Sequence, residues 1–250
     1  MSKTRHDGEP LVRGYAVTHP PGAARLPVAA GWDQLVYAAS GTMMVSTAAG
    51  SWTVPPARAL WIPAGEQVRI VNRFRVAVRT LYFATRLNAL PPMTRIVTVT
   101  GLVRELLLHA VARSPLDIDA PVDNALLTLL VDQLHQLPDE PLWLPSPAAS
   151  PPIAIAAAEL IRDDPARSVD SLARTVGVSQ RTLERAFLAA TGVTLGVWRR
   201  HARILASLHC LAAGTSVTET ASAIGYSTPS AFVAAFKNQL GSPPSTYLRP

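Results

Sequence analysis

Cysteine is nearly absent from this chain of 250 residues, with Cys210 standing alone, so no disulfide within the chain is available. Nothing therefore argues for an oxidising compartment. Cys210 lies on an apolar helical stretch and reads either as a small buried hydrophobe or as a redox-sensitive thiol. Long apolar runs are missing too: none approaches the roughly eighteen residues of a membrane span, and Met1–Pro10 lacks the apolar core of a signal peptide. A cytoplasmic chain with no membrane partner is expected. Histidine is scarce where strands are expected. Only His19 lies near them, with Asp33 and Glu66 as the acidic company, while His6, His109, His135, His201 and His209 fall in the N-terminal tail or in predicted helices. A divalent metal needs several converging nitrogen and oxygen ligands, so neither a metal site nor a cofactor is expected.

What is present is one pattern written twice. Ser171-Leu-Ala-Arg-Thr-Val-Gly177-Val-Ser179 leads into Gln180–Phe187 and Gly192, and Thr218–Gly225-Tyr-Ser227 leads into Thr228–Phe236 and Gly241. Ala173 and Ala221, Val176 and Ile224, Gly177 and Gly225, and Ser179 and Ser227 are each 48 apart; Leu183 and Phe232, Phe187 and Phe236, Gly192 and Gly241, and Trp198 and Tyr247 are each 49 apart. Such repetition is the strongest organising signal a sequence offers.

Each copy reads as helix, tight turn, helix. The small residue (Ala173, Ala221) lets two helices approach, and the glycine four positions later accepts the positive φ that ends the first helix. Ser179, and in the second copy Ser227 or Thr228, offers an oxygen to cap the second helix, whose buried stripe is Leu183 with Phe187 or Phe232 with Phe236. What remains exposed in the first copy is Gln180, Arg181, Thr182, Glu184 and Arg185, groups suited to base edges and phosphates. The second copy offers Ser227, Thr228, Ser230, Val233 and Lys237, with far less charge, which points to base reading by the first helix and mainly phosphate contacts by the second. Between the copies, Leu195–Leu211 has helical periodicity through Trp198, Ala202, Leu205, Leu208 and Leu211. A rod of that length, about 26 Å, suits two recognition helices set about one DNA turn, roughly 34 Å, apart. Arg199, Arg200 and Arg203 on it read as phosphate contacts or as a solvated face.

These two motifs, closing with Phe236-Lys237 and Gly241-Ser-Pro-Pro-Ser-Thr-Tyr247-Leu-Arg249, resemble the DNA-binding domain of AraC/XylS-family transcription regulators. The resemblance implies a seven-helix unit with two DNA-reading helices and double-stranded promoter DNA as partner. Net charge is +6 overall, but residues 91–150 hold three basic and seven acidic residues, and residues 151–250 ten and six. The DNA-binding end is only mildly basic, as befits a binder that must also leave non-specific DNA.

The front half alternates apolar and polar residues in short runs: Asp33–Ala38, Thr42–Ser46, Ser51–Val54, Ala59–Ile62, Gln67–Val71 and Arg75–Phe83, with Gly or Pro at the turns. This predicts an antiparallel β-sandwich or barrel. Trp52, Val54-Pro-Pro56 and Leu60-Trp-Ile-Pro63 come in an order that resembles the AraC-type cupin domain, which implies a small-molecule effector pocket. Its candidate lining is His19, Tyr37, Met43, Trp52, Trp61 and Tyr82, against the plainer reading that the aromatics simply fill the barrel.

Helical periodicity then takes over at Gly101–Arg113, with Leu102, Glu105, Leu106, His109 and Ala110 on one side. It returns at Val122–Leu137, with Ala125, Leu126, Leu129, Leu130, Gln133 and Leu134. This pair reads as packing against the barrel or as the interface of a homodimer. Pro138–Pro152 reads as a semi-rigid linker. The expected chain is α+β: a cupin-like antiparallel β barrel over residues 1–90, a helical segment over 91–137, a proline-rich linker over 138–152, and an all-α double helix-turn-helix domain over 153–250. A metal-dependent cupin enzyme with appended DNA-binding helices is the competing class. A DNA-alkylation repair protein is disfavoured, because methyl-accepting chemistry needs more than one cysteine.

Overall fold

The computed structural model describes residues 10–25, 29–48, 50–136, 142–147 and 151–247. Its N-terminal half is built from β1 (Val12–His19), β2 (Gly22–Arg25), β3 (Trp32–Ser40), β4 (Met43–Ser46), β5 (Gly50–Val54), β6 (Arg58–Ile62), β7 (Arg69–Asn72), β8 (Val76–Ala84) and β9 (Arg95–Thr98). Then come α1 (Gly101–Arg113), α2 (Pro121–Gln136) and β10 (Trp143–Pro145). Seven helices follow among the described residues: α3 (Pro152–Asp163), α4 (Val169–Thr175), α5 (Gln180–Thr191), α6 (Leu195–Ala212), α7 (Val217–Ala223), α8 (Pro229–Leu240) and α9 (Pro244–Tyr247).

The strands form two five-stranded antiparallel sheets, ordered β1-β8-β3-β6-β9 and β10-β5-β4-β7-β2. Among the described residues no ladder joins one sheet to the other, so the expected barrel is an open sandwich. Alternation sorts its side chains. Val36 and Ala38 of β3, Leu60 and Ile62 of β6, and Val76 and Val78 of β8 meet Met43, Val45, Trp52, Val54 and Ile70 of the second sheet in the inner core.

The first sheet is buried on its other face as well. Leu35, Tyr37, Trp61, Leu81 and Phe83 pack there against Val103, Leu107 and Ala110 of α1 and Leu126, Leu130 and Leu134 of α2. This corrects the helical faces read from the sequence. On α1 the buried stripe lies one residue over, leaving Leu102, Glu105 and His109 exposed, and on α2 Ala125 and Leu129 are exposed. Asp123 fixes the pair by accepting from Arg113 Nε at 2.7 Å and from the Asp117 backbone N–H at 3.1 Å. These bonds hold its carboxyl below the ordinary carboxylate range, the backbone bond contributing most.

Within the predicted linker, residues 138–141 and 148–150 lie outside the described residues, and the part between them is not a spacer. β10 pairs with β5, setting Trp143 opposite Trp52 and Pro145 opposite Gly50, and Leu142 and Leu144 are buried. Proline is tolerated because β10 is the edge strand. Gly50 is required there, since a Cβ would collide with the Trp143 indole and, at 2.6 Å, with the Leu144 carbonyl oxygen.

The outer face of the second sheet is covered by the C-terminal helices. Ser51 and Thr53 point out of the sandwich yet are 3% and 4% exposed, because α3 and α6 lie over them. Thr42 Oγ1 donates to the Leu208 carbonyl at 3.1 Å, Arg73 Nη2 to the Asp163 carbonyl at 2.7 Å, and Trp198 Nε1 to the Pro145 carbonyl at 3.1 Å. The Arg58 guanidinium stacks over Tyr247 of α9, 4.8 Å from its ring centre. One apolar core consequently runs from the sandwich into the helical unit.

Candidate nucleic-acid interface

The two copies are built by the same local chemistry. Ser168 caps α4 by accepting from the Ser171 N–H at 3.1 Å, and Ser179 caps α5 by accepting from the Thr182 N–H at 3.2 Å. Ser216 caps α7 in a reciprocal box with Glu219, and Thr228 rather than Ser227 caps α8, accepting from the Ala231 N–H at 3.2 Å. The Ser216 hydroxyl and backbone N–H lower the pKa of the Glu219 carboxyl. Gly177 (φ +74°) and Gly225 (φ +82°) take the left-handed conformation expected of each turn. Gly225 is also a close approach, its missing Cβ falling 2.9 Å from Ala166 Cα.

Behind the turns the aromatic stripe closes the core. Phe187 meets Trp198 edge-on at 5.3 Å, Phe232 meets Phe236 at 5.7 Å, and Phe236 meets Tyr247 at 5.4 Å. Burying these residues forces the opposite faces outward. On α5, Gln180, Arg181, Glu184 and Arg185 are exposed, and Thr182 is half-buried with its hydroxyl 2.9 Å from that of Ser179. Arg181 and Arg185 lie four apart on one face, and neither makes a hydrogen bond or ion pair with any described residue. Around α8, Ser227, Thr228, Ser230 and Lys237 are exposed and Val233 is half-buried. Leu188 and Asn238 extend these outer faces; helical spacing from Arg181 and from Ser230 was the signal for both.

The connector arginines divide. Arg199 Nη2 donates to the Arg167 carbonyl at 2.6 Å, and burial, then the charge of Arg203, lowers its pKa. Arg203 donates to the Pro165 and Ala166 carbonyls at 2.9 and 3.3 Å and lies over the Tyr226 ring. Both guanidiniums thus tie α6 to the α3–α4 loop, where the sequence had offered them to phosphate. Arg200 is exposed.

Residues 172–250 match the family described as the helix-turn-helix domain. Over 217 residues the chain is 27% identical to the HTH-type transcriptional regulator NimR of Escherichia coli (strain K12), covering 86% of this chain and 79% of that one. Residues 172–250 thus form a helix-turn-helix domain, in a chain similar to transcription regulators. The chain is also 34% identical over 103 residues to the regulator RipA of Corynebacterium glutamicum, covering 40% of this chain and 31% of that one. Among solved structures, the DNA-binding domain of the global transcriptional factor AdpA, crystallised with a target DNA, is 32% identical, covering 40% of this chain and 91% of that one, with a TM-score of 0.36.

The six effector candidates are not brought together. Tyr37 and Trp61 face α1 and α2, with Trp61 Nε1 donating to the Pro91 carbonyl at 3.1 Å. Met43 and Trp52 fill the inner core, and His19 sits half-buried at the end of β1. Tyr82 lines an open cleft with Arg13, Tyr15 and Trp32. Periodicity had placed all of these but His19 on strands, yet it does not reveal face when both faces of a sheet are covered. Asp33 is engaged structurally, its Oδ1 accepting from the Ala64 N–H at 2.9 Å.

Proposed function

We propose that this regulator binds promoter DNA in a sequence-selective way as a homodimer, under the control of a small-molecule effector held by its N-terminal half. The division of labour follows the order of the chain: residues 1–90 for the effector, 91–137 for self-association, 138–152 as connection and 153–250 for DNA. The first copy reads bases through Gln180, Arg181, Glu184 and Arg185, with Ser179 and Thr182 holding the helix start. The second contributes Ser227, Thr228, Ser230, Val233 and Lys237, chiefly as phosphate contacts. Arg200 replaces Arg199 and Arg203 as the connector's contribution. α6, 18 residues and about 27 Å long, spaces the copies for successive major grooves. The observation that carries this reading is the pair of unpartnered guanidiniums, Arg181 and Arg185, on one exposed face of α5. Self-association is supported by Leu102, Val122 and Leu129, which α1 and α2 leave 51%, 63% and 42% exposed.

Control by an effector is a population shift. A ligand whose contacts exist in only one arrangement of the two halves favours that arrangement, and with it one spacing of half-sites. No catalysis is proposed. Among the described residues no three His, Cys, Asp or Glu side chains are grouped as a metal site, and the curated relatives are regulators. No described helix is long and apolar enough to cross a membrane, and the place of action is the cytoplasm, with the DNA. Footprinting on the intergenic region beside the gene is the direct test. Protection in two adjacent major grooves per DNA-binding unit is expected, and uniform, sequence-blind retardation of every fragment would sink the proposal.

A further inference from the structure

We infer that the effector site of this chain is the seam between the second sheet and the DNA-binding helices, and that it takes a one-ring molecule bearing a hydroxyl or ring N–H. The inference rests on the effector control proposed above and gives that control a place. Strand alternation creates the seam: inward Met43, Val45, Trp52 and Val54 oblige Met44 and Thr53 to point outward, toward α3 and α6. The helices cover this face without filling it. Between Met44, Thr53 and Val71 on one side and Ile161, Leu205 and His209 on the other lies a cavity of about 150 Å³. An apolar cavity of about that size admits a benzene ring.

Two polar groups on its lining lack partners among the described residues. His209 is 6% exposed, and its Nδ1 makes no hydrogen bond. Burial and then the Arg73 charge bring its pKa down to about 4, while a bond to the Thr42 backbone acts the other way. The ring is therefore neutral near pH 7. With its proton directed to the Thr42 carbonyl, it keeps a lone pair on Nδ1 that calls for a donor. Arg162, whose guanidinium lies over Trp198, has a buried Nε with no acceptor. A hydroxyl answers either group, donating to His209 or accepting from Arg162, while the apolar walls take the ring. A buried polar atom left unmatched is costly, so such a ligand offsets a cost that His209 and Arg162 otherwise carry. Because the walls come from both halves, occupancy reports directly on how they are docked.

The test uses the full chain, phenol as probe, toluene as its donor-free counterpart, and methionine-methyl NMR. Met44 lines the cavity, whereas Met93 is 57% exposed and is not among the cavity's lining residues. Phenol is expected to shift the Met44 methyl saturably and leave Met93 in place, binding roughly three- to tenfold tighter than toluene, as one added hydrogen bond allows. Ala206→Trp, which fills the cavity from α6, is expected to abolish the shift. Should that variant fail to fold, His209→Phe is expected to narrow the preference for phenol. A silent Met44, or saturation that ignores both substitutions, overturns the inference. Selective operator binding by the same preparation without probe separates that failure from failure of the regulator reading.

Discussion

The two helix-turn-helix copies share their interior and differ outside. Ala173 and Ala221, Gly177 and Gly225, and Phe187 and Phe236 occupy equivalent places, while α5 exposes two arginines and a glutamate where α8 exposes serine, alanine and a single lysine. Packing tolerates few solutions, so the buried pattern persists through duplication; the outer face answers only to what it touches. The difference teaches that one buried architecture can carry two unlike outer faces.

The largest test of their common interior is truncation of the stripe. Phe187→Ala and Phe236→Ala should each cost about 3–5 kcal/mol in denaturant unfolding, because both rings are fully buried. Markedly unequal losses would mean that the copies do not share a core. Next come the turns. Gly177 has open space where a Cβ would go, so Gly177→Ala should cost only the left-handed strain, about 1–2 kcal/mol. Gly225→Ala should cost more, since it adds the clash with Ala166. Equal costs would show the second turn yielding. For DNA, Arg181→Ala or Arg185→Ala should weaken binding by about 1–3 kcal/mol and relax base preference. Lys237→Ala should reduce the slope of affinity against salt by about one without changing preference. A uniform loss from the arginines would make the copies alike after all.

The smallest effect concerns pH. Glu219 belongs to a capping box that the first copy lacks, and its carboxyl pKa is lowered in the folded chain. Its contribution is therefore complete above the unfolded value, about 4.3, and fades as pH falls through the lower folded one. The melting temperature of the wild type should exceed that of Glu219→Gln near pH 6, and the gap should close toward pH 3. A gap that persists would assign the cap to Ser216 alone.

The helical half was legible in the sequence because duplication marks equivalent positions. Gly177, Gly225, Ser179 and the pairs Leu183–Phe187 and Phe232–Phe236 stand where the repeat placed them. The strand half was less legible. β1 was not foreseen because Tyr15 and Val17 are 52% and 46% exposed, so its alternation carries little apolar contrast. β10 hid among prolines that signal a linker, and its pairing with β5 depends on Gly50 and Trp52, some ninety residues earlier. On α1, leucines at 102, 106, 107 and 108 permit two stripes, and only the sheet beneath selects the one through Val103 and Leu107. Arg199 and Arg203 escaped for a related reason, since their carbonyl partners belong to a loop more than thirty residues away.

That short edge strand also sets a leash. With Trp143–Pro145 sewn to β5, only Ser146–Pro151 remain before α3 begins, six residues whose full stretch is about 20 Å. The reading head is therefore kept close to the sandwich. Any operator that demands a longer reach must first unzip β10, baring Leu142, Leu144 and Trp52 to water.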